Sequence, residues 1–537
     1  MGAAVGASRA RRRLTSAPAV RRAAIAHYAP TVLIIGVQFA AMTALAMILG
    51  TWQDEEYTLS TTAHGVFYAI HRAISYELQA PLYFTLIALL REIAPSALAA
   101  RMFSVVCALG VTLSCVAIAR RLWPGIDPWP VAALAAFNPF VVFAALEIRV
   151  YALALLVSAL LWLTFYDGFF RAERRSARIT FIVLAIAALY LEYFLAFELV
   201  GFAVALVVSG RLRALLAYAL AGVICALAFV PMLFVLHGQI HAAFAVPESK
   251  PLPFYNVFFH PLVDFVIPHA YGSGVATRAL NAVVVLAIVA AIVIGRPRAD
   301  RAMLALGAAA ATVEAIYFML VDVLHEQLVV PRHFVALFIP ETAFAYAVLA
   351  AFRNRRSANA ARRTIAALVA LVTILSLVAT YHALAKLGDW KRVAAWLQTH
   401  ARAGDTIAIA EPDAVAAFER YYHGTADVAA YPRPVDPNVY SVERMMVHSK
   451  SEALRAFSAL PQHGRLWFVA FEGCDTRDRL GCLEVAAAER ERYRVVKHRA
   501  FYSTTVDRLV PKRSVGGRSS SRGHKTSRGL RPATRVK

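Results

Sequence analysis

A short polar stretch near the start of the chain carries the side chains best suited to chemistry. Residues 51–84 hold four carboxylates and a late tyrosine: Asp54, Glu55, Glu56, Glu77 and Tyr83. Carboxylates that are consecutive in sequence repel one another, which raises at least one pKa and favours a proton acceptor. A group that takes a proton from an attacking hydroxyl is what glycosyl or acyl transfer requires. The structural alternative is a solvated loop that hydrates the end of an apolar segment.

Two arginines are placed to form an anion site near these acids. Arg149 lies at the junction of two apolar segments, between Glu147 and Tyr151, and Arg332 lies at the start of another apolar segment. An arginine at membrane depth is costly and usually pairs or lines a cavity. A guanidinium group also matches phosphate bidentately. We therefore predict a phosphate site at Arg149 and Arg332, with snorkelling of Arg149 and pairing to Glu147 as the alternative.

The composition is that of a membrane protein. Of the 537 residues, 59% are hydrophobic and 17% are charged, and the mean hydropathy is +0.57. Soluble proteins carry about 25% charged residues. The net charge of +22 is distributed over short loops and a basic tail, rather than over the continuous basic face of a nucleic-acid-binding protein. We predict membrane lipids as partners and no nucleic acid.

Apolar segments recur along the first two thirds of the chain. The sequence predicts about eleven spans, each close to the length that crosses a bilayer: 31–50, 98–119, 129–146, 151–169, 179–193, 195–209, 214–236, 277–294, 302–321, 334–352 and 364–385. Arginines cluster in alternate loops, which is the signature of cytoplasmic loops. The fold class predicted is a polytopic α-helical protein of the bacterial inner (plasma) membrane, with Asp54 and the C-terminal region facing the periplasm.

Composition also divides the chain into four regions. The predicted regions are a basic cytoplasmic N-terminus, a transmembrane catalytic domain, a periplasmic domain and a basic disordered tail: 1–29, 30–385, 386–511 and 512–537. The tail has many Ser and Gly and no acidic residue, so it cannot bury a core. Alternating helix and strand patterns favour a small α/β fold of about 120 residues for the periplasmic domain.

The pattern of that domain predicts individual elements. In order they are a helix from about Asp389, a short buried strand, a helix in AVAAFERYYHG, a strand in RLWFVAF, a helix near 482–491 and two strands ending near Val510. Cys474 and Cys482 flank a polar turn in the same region. An oxidising periplasm permits a disulfide between them, and two free thiols fit the spacing equally well.

Four segments of the chain carry motifs with a common order. They are WQDEEYTL, ELQAPLYF, NPFVVFAALEIRVYALALL and VVPRHFVALFIP. This order resembles the GT-C superfamily of membrane glycosyltransferases, in particular glycosyltransferase family 39 and PMT-like proteins (dolichyl-phosphate-mannose-protein mannosyltransferase-like, related to the lipid A aminoarabinose transferase). The segments are similar to that family's first-loop Asp-Glu motif, acid-x-His-Pro-Pro-Leu-Tyr-Tyr segment, Glu-x-Arg-x-Tyr segment and late Arg-Tyr/His segment.

The resemblance implies an inverting transferase that moves a sugar from a polyprenyl-phosphate donor to a glycolipid, polysaccharide or protein acceptor. Asp54 would act as the base or position the acceptor, and Glu55 would support it. Arg149 and Arg332 would hold the lipid phosphate and neutralise the charge that develops on it. The other residues implied to bind substrate are Glu77, Tyr83, Glu147 and Tyr151.

The sequence departs from the family pattern at one place. Gln79 and Ala80 stand where the family has His-Pro, so we name no metal ligand and no cofactor, and we leave a divalent metal ion open. Two other classes are alternatives: a polytopic transporter or flippase of an envelope lipid or glycan, and a non-catalytic scaffold. A transporter should have repeated halves with broken spans, which the sequence does not have. A scaffold leaves the clustered acids and arginines unexplained.

Overall fold

The computed structural model describes most of the chain. The described residues are 27–244, 275–320, 331–352, 356–436, 441, 443–461, 464–471 and 481–512. Nearly all of the predicted basic N-terminus (1–29) and of the predicted tail (512–537) lies outside them, as does Cys474.

The first part of the chain is helical. Its helices are α1 (His27–Ile48), α2 (Gln53–Thr61), α3 (Val66–Ser75), α4 (Leu82–Ile93), α5 (Ala97–Leu122), α6 (Pro128–Ala136), α7 (Pro139–Leu146), α8 (Tyr151–Phe165), α9 (Arg175–Leu191), α10 (Leu195–Val208), α11 (Leu212–Phe244), α12 (Val275–Gly295), α13 (Arg301–Phe318), α14 (Val335–Ala351) and α15 (Arg356–Tyr381). Helix α8 continues into a π-helical turn at Tyr166–Phe170.

Each predicted span coincides with a helix or with a pair of helices. In the described part of the chain, six helices are long and apolar enough to cross a membrane. Helices α6 and α7, which are bent by 55° relative to each other, form a seventh span if the pair is counted as one. Helices α10 and α14 are shorter and also apolar. The chain is therefore a multi-pass membrane protein. That about eleven segments cross the bilayer stays a prediction.

The polar stretch between α1 and α5 is helical as well. Its apolar residues are too few to predict a span, but most of its residues belong to α2, α3 and α4. Helix α3 has one apolar face, with Ala69 and Ala73 fully buried, whereas Phe67 is exposed. This polar stretch is therefore an ordered series of short helices.

The membrane helices pack through small residues and aromatic rings. Gly201 on α10 allows a close approach to α13, because a Cβ atom there would lie 2.9 Å from the carbonyl oxygen of Ala309. Small residues at such contacts are typical of helix pairs in membranes. Phe165 on α8 and Phe202 on α10 stack with ring centroids 4.3 Å apart. These contacts pack α8 and α13 against α10.

A small α/β domain follows α15. It contains α16 (Trp390–His400), β1 (Thr406–Ile409), α17 (Val415–Glu419), β2 (Asp427–Ala430), α18 (Lys450–Ala459), β3 (Leu466–Phe471), α19 (Cys482–Arg492), β4 (Tyr493–Phe501) and β5 (Thr504–Pro511). The strand order is β2-β1-β3-β5-β4. Strand β1 is parallel to both of its neighbours, β2 and β3, and β5 is antiparallel to both of its neighbours, β3 and β4.

The sheet of this domain is covered on both faces. Successive side chains of a strand point to opposite faces, so Ile407 packs with Trp390 of α16, and Ala408 packs with Phe457 of α18. The α/β fold predicted from the sequence is confirmed, with two further elements, β2 and α18, that the pattern did not predict. Cys482 is disulfide-bonded, whereas Cys107, Cys115 and Cys225 are free.

Candidate functional site

Helix α2 directs its three consecutive acids to three different partners. Successive residues of an α-helix are about 100° apart around its axis. Acidic residues in the first turn are also favoured by the helix dipole. The side chains of Asp54, Glu55 and Glu56 are 20%, 0% and 8% exposed. Asp54 is therefore the most accessible carboxylate of the three.

Asp54 pairs with an arginine from a distant part of the chain. Its Oδ2 lies 3.2 Å from Nη2 of Arg332. Arg332 belongs to a 3-10 turn, Pro331–His333, just before α14. The guanidinium lies 5.7 Å from the ring centroid of Trp52, which precedes α2. The structure thus brings together the first-loop acid and the late arginine that the sequence singled out.

Arg149 lies beneath the same helix and is largely buried. Its Nη1 donates to the Asp54 carbonyl oxygen at 3.2 Å, to Thr58 Oγ1 at 3.1 Å and to Glu77 Oε2 at 3.2 Å. The Thr61 hydroxyl donates to the other Glu77 oxygen at 2.7 Å. Arg149 therefore ties the α7–α8 junction to α2 and to the loop after α3.

These contacts shift the pKa values of Glu77 and Arg149. Burial raises the pKa of Glu77, although the Arg149 charge opposes the shift. Burial also disfavours the charged form of Arg149, but Asp54 and Glu77 outweigh it and raise the pKa of the guanidinium. Arg149 therefore stays cationic. Its Nε has no hydrogen-bond partner among the described residues.

Glu55 is fully buried and both of its oxygens are occupied. Arg101 donates from Nη2 to both carboxylate oxygens at 2.9 Å, and Lys386 Nζ lies 2.9 Å from Oε2. The backbone N–H of Ile148 donates to Oε1 at 2.9 Å. Burial opposes ionisation, but the Lys386 and Arg101 charges hold the pKa of Glu55 below its ordinary value. The catalytic role predicted for Glu55 stays a prediction, and this geometry favours a role in positioning α2.

Glu147 shares a cation with Glu55. Its Oε1 lies 2.9 Å from Lys386 Nζ, and its Oε2 accepts a hydrogen bond from Trp52 Nε1 at 2.5 Å. Burial and the Glu55 charge raise the pKa of Glu147 above its ordinary value. The alternative pairing of Glu147 with Arg149 is not among the ion pairs of the described residues, where Arg149 pairs with Glu77.

The two predicted tyrosines are buried at the same end of the bundle. Tyr83 on α4 is 1% exposed, and Tyr151, the first residue of α8, is 2% exposed. The Tyr151 ring lies 5.7 Å from the ring of Phe143. Their predicted contact with substrate stays a prediction.

Several residues of the site were not singled out from the sequence. Arg101 lies near the start of an apolar span, where a charge is itself a signal of a buried partner or a cavity. Lys386 lies in the connection between α15 and α16, where a lone cation is ordinary. Arg420 pairs with Glu56, with Nη2 donating to Oε2 at 2.8 Å. No local pattern distinguishes this arginine from the many others of the chain.

The described part of the chain holds no group of three or more His, Cys, Asp or Glu side chains that could bind a metal ion. Asp54 and Glu77 belong to the site, but Arg332 and Arg149 are their partners. The donor set that the described residues bring together is thus two carboxylates with two guanidinium groups. Such a set suits a phosphate and a hydroxyl group.

The helical bundle, the acidic helix α2 and the C-terminal sheet define a multi-pass protein with the GT-C membrane fold. The structure of ArnT from Cupriavidus metallidurans bound to undecaprenyl phosphate has a TM-score of 0.51 and 14% sequence identity, covering 90% of this chain and 98% of that chain. The apo state of ArnT from Cupriavidus metallidurans gives 0.50 and 13%, covering 89% and 97%. No protein-family model and no curated protein matches the chain. The fold that the motifs predict is thereby confirmed.

Proposed function

We propose that the protein is a glycosyltransferase that moves a sugar from a polyprenyl-phosphate carrier to an acceptor hydroxyl. The observation that carries the proposal is that the three acids of α2 have different surroundings. Glu55 and Glu56 are occupied by cations of the surrounding structure, whereas Asp54 is partly exposed and lies against Arg332. A carboxylate beside arginines suits a reaction in which the carboxylate accepts a proton and the arginines stabilise a phosphate leaving group.

The proposed reaction is a single displacement at the anomeric carbon. The acceptor oxygen forms a bond to this carbon while the bond to the phosphate oxygen breaks, which inverts the configuration. Asp54 takes the proton of the acceptor hydroxyl, and the polyprenyl phosphate leaves with the bonding electron pair. Arg332 and Arg149 stabilise the negative charge that develops on the phosphate, where preorganised donors are most effective.

The ion pair between Asp54 and Arg332 links the two halves of this reaction. An incoming phosphate competes with Asp54 for the Arg332 guanidinium, since both ligands are anionic oxygen groups. When the phosphate binds Arg332, the Asp54 carboxylate is released toward the acceptor. Arg149 Nε has no partner among the residues described, so it supplies a second donor without loss of the bond to Glu77.

The nature of the carrier is supported by a structural neighbour. The ArnT structure with a similar fold holds undecaprenyl phosphate, and a polyprenyl phosphate is therefore the donor class proposed for this chain. Glu77, Tyr83 and Tyr151 are proposed to shape the substrate pocket around the two arginines. The substrate contact predicted for Glu147 stays a prediction, because Lys386 and Trp52 occupy both of its carboxylate oxygens. The acceptor class is a glycolipid, a glycan or a protein of the cell envelope.

The arrangement of arginine-rich loops supports a site that faces the periplasm of a bacterial inner membrane.

Mass spectrometry of envelope glycolipids tests the function directly. Cells with the protein should contain a glycosylated species that is lost both without the protein and with Asp54→Asn. A matched control is Asp127→Asn, since Asp127 is exposed at the start of α6. A lipid that changes leaflet without chemical change would instead favour the transporter.

A further inference from the structure

Four buried charges form a closed group beneath α2. This charge quartet consists of Glu55, Glu147, Arg101 and Lys386. Their side chains are 0%, 6%, 4% and 8% exposed. Lys386 Nζ lies 2.9 Å from a carboxylate oxygen of each glutamate and also donates to the Leu146 carbonyl oxygen at 2.6 Å. The lysine is therefore the one member that touches both acids.

The quartet is electrically balanced only when Lys386 is present. When both glutamates are ionised, two carboxylates face two cations, so the group as a whole is neutral. Without Lys386 one buried negative charge would have no counterpart, and an unpaired buried charge is strongly unfavourable. Arg101 does not take over this role, because it is already engaged by Glu55 and by the carbonyl oxygens of Ala46 and Leu49.

Lys386 reaches the quartet from the C-terminal side of the chain. It lies between α15 and α16, whereas Glu55 lies on α2, Arg101 on α5 and Glu147 between α7 and α8. The α/β domain adds two more contacts to the same helix. Arg420 pairs with Glu56, and Gln53 Nε2 donates to Glu411 Oε2 at 3.0 Å. Helix α2 is therefore held between the membrane helices and the α/β domain.

We propose that Lys386 is a positioning residue, through which the connection to the α/β domain fixes α2 and so aims Asp54 at its substrate. This inference rests on the proposed transferase function. The chain of contacts runs from Lys386 to Glu55 and from Glu55 to its neighbour Asp54 on the same helical turn. The α/β domain is thus part of the active-site architecture.

The positioning role predicts a particular division of effects. Arg332 lies before α14, outside both α2 and the quartet, so phosphate binding through Arg332 should depend less on Lys386. The placement of Asp54 should depend on it strongly. A displacement of a reacting group by about 1 Å can cost about 100-fold in rate.

The test compares three variants of the full-length protein in detergent or nanodiscs. We expect Lys386→Met to lower kcat about 10- to 100-fold per folded molecule, while affinity for undecaprenyl phosphate changes less than about threefold. Lys386→Met combined with Glu147→Gln restores neutrality and should regain most of the kcat. Lys391→Met is the matched control, because Lys391 is exposed and, among the described residues, donates to the Ile48 carbonyl oxygen alone, at 3.3 Å. It should retain the kcat of the unmodified protein.

An unchanged kcat in folded Lys386→Met would overturn the proposal. So would a double variant no better than the single one, because charge balance would then not be the cause. A cross-linking experiment separates this failure from that of the proposed function. Cysteines are introduced by Gln53→Cys and Glu411→Cys, and a short bis-maleimide should cross-link the two positions. The yield of cross-linked protein should fall when Lys386→Met is added and recover when Glu147→Gln is added as well. This result would sustain the positioning role even if no transfer is detected with any donor.

Discussion

The Asp54 carboxylate lies 3.2 Å from the Arg332 guanidinium, and both groups remain partly open to solvent. Their neighbours behave differently, because the Glu55 carboxylate and its two cations are almost completely buried. A partly exposed ion pair contributes only about 0–1 kcal/mol, so a competing phosphate can separate Asp54 from Arg332 at little cost. In the proposed reaction, the buried pairs around Glu55 would hold the helix during this exchange.

Asp54→Asn should remove activity and leave the fold intact. The amide has nearly the same shape as the carboxylate but accepts no proton, and loss of a general base costs about 100- to 10,000-fold in rate. Sugar transfer by the purified variant would be measured beside its thermal midpoint, which should change by only a few degrees. Activity equal to that of the unmodified protein would remove Asp54 from the role of base.

Arg149→Gln should destabilise the protein by leaving Glu77 buried without its cation. Removal of one partner of a buried ion pair costs about 3–5 kcal/mol. The pKa of Glu77 is already raised by burial in the unmodified protein, and loss of Arg149 raises it further. A raised folded-state pKa favours folding at low pH, and this contribution is lost as the pH rises. The thermal midpoint of the variant should therefore fall more at pH 8 than at pH 5.

The combination of Arg149→Gln with Glu77→Gln supplies the control for this prediction. It removes both charges, so the thermal midpoint should recover at pH 8 and the extra pH dependence should disappear. Phosphate affinity should stay low in both variants, since neither has the guanidinium. A double variant as unstable as Arg149→Gln would show that the guanidinium acts through its contacts with α2 instead.

Asp405→Asn should destabilise the α/β domain at neutral pH. Arg465 donates to both Asp405 oxygens, and Trp467 Nε1 donates to Oδ2 at 3.1 Å. Burial opposes ionisation, but these donors lower the pKa of Asp405 to about 2. This depressed folded-state pKa corresponds to about 2 kcal/mol of stability, present above the ordinary pKa of an aspartate and lost as the pH falls toward 2.

The difference in thermal midpoint between Asp405→Asn and the unmodified protein measures that contribution. It should be largest at neutral pH and shrink between about pH 4 and pH 2. Asp427→Asn is a suitable control, because Asp427 begins β2 with an exposed side chain. A difference that stays constant over this range would mean that Asp405 acts through packing and not through its charge.

Much of the fold follows from local sequence patterns. Apolar length predicts the membrane helices, because a bilayer-crossing segment needs about 20 apolar residues. The alternation of short apolar runs predicts most of the α/β domain, including α16, β1 and β3. Strand β2 was missed because it has only four residues, and α18 because it has only two large apolar side chains. Their stability comes from packing within the domain, where Phe457 of α18 packs beside Phe468 of β3.

The site was only partly predictable, for a physical reason. The acids of α2 and the two arginines stand out in sequence because charges next to apolar spans are costly. Lys386 and Arg420 carry no such signal, since cations are common outside a span. Their roles depend on contacts between distant segments, such as Lys386 with Glu147. The different surroundings of Asp54 and Glu55 likewise follow from the helical geometry of α2, which a stretch without apolar periodicity does not predict.

The last prediction concerns the sides of the membrane. Contacts of Arg420 with Glu56 and of Lys386 with Glu55 require that α2 and the α/β domain lie on one side. The first part of helix α5 lies near this site, because it carries Arg101. A helix of its 26 residues extends about 39 Å, which is long enough to carry its basic end to the other side. With arginine-rich loops in the cytoplasm, a reporter fused after residue 400 should be periplasmic and one fused after residue 174 cytoplasmic.

The side of each fusion point is measured with two reporters: alkaline phosphatase, which is active only outside the cytoplasm, and a fluorescent protein, which is active only inside it. Two fusions with the same location would contradict the proposed orientation, and with it the periplasmic placement of Asp54.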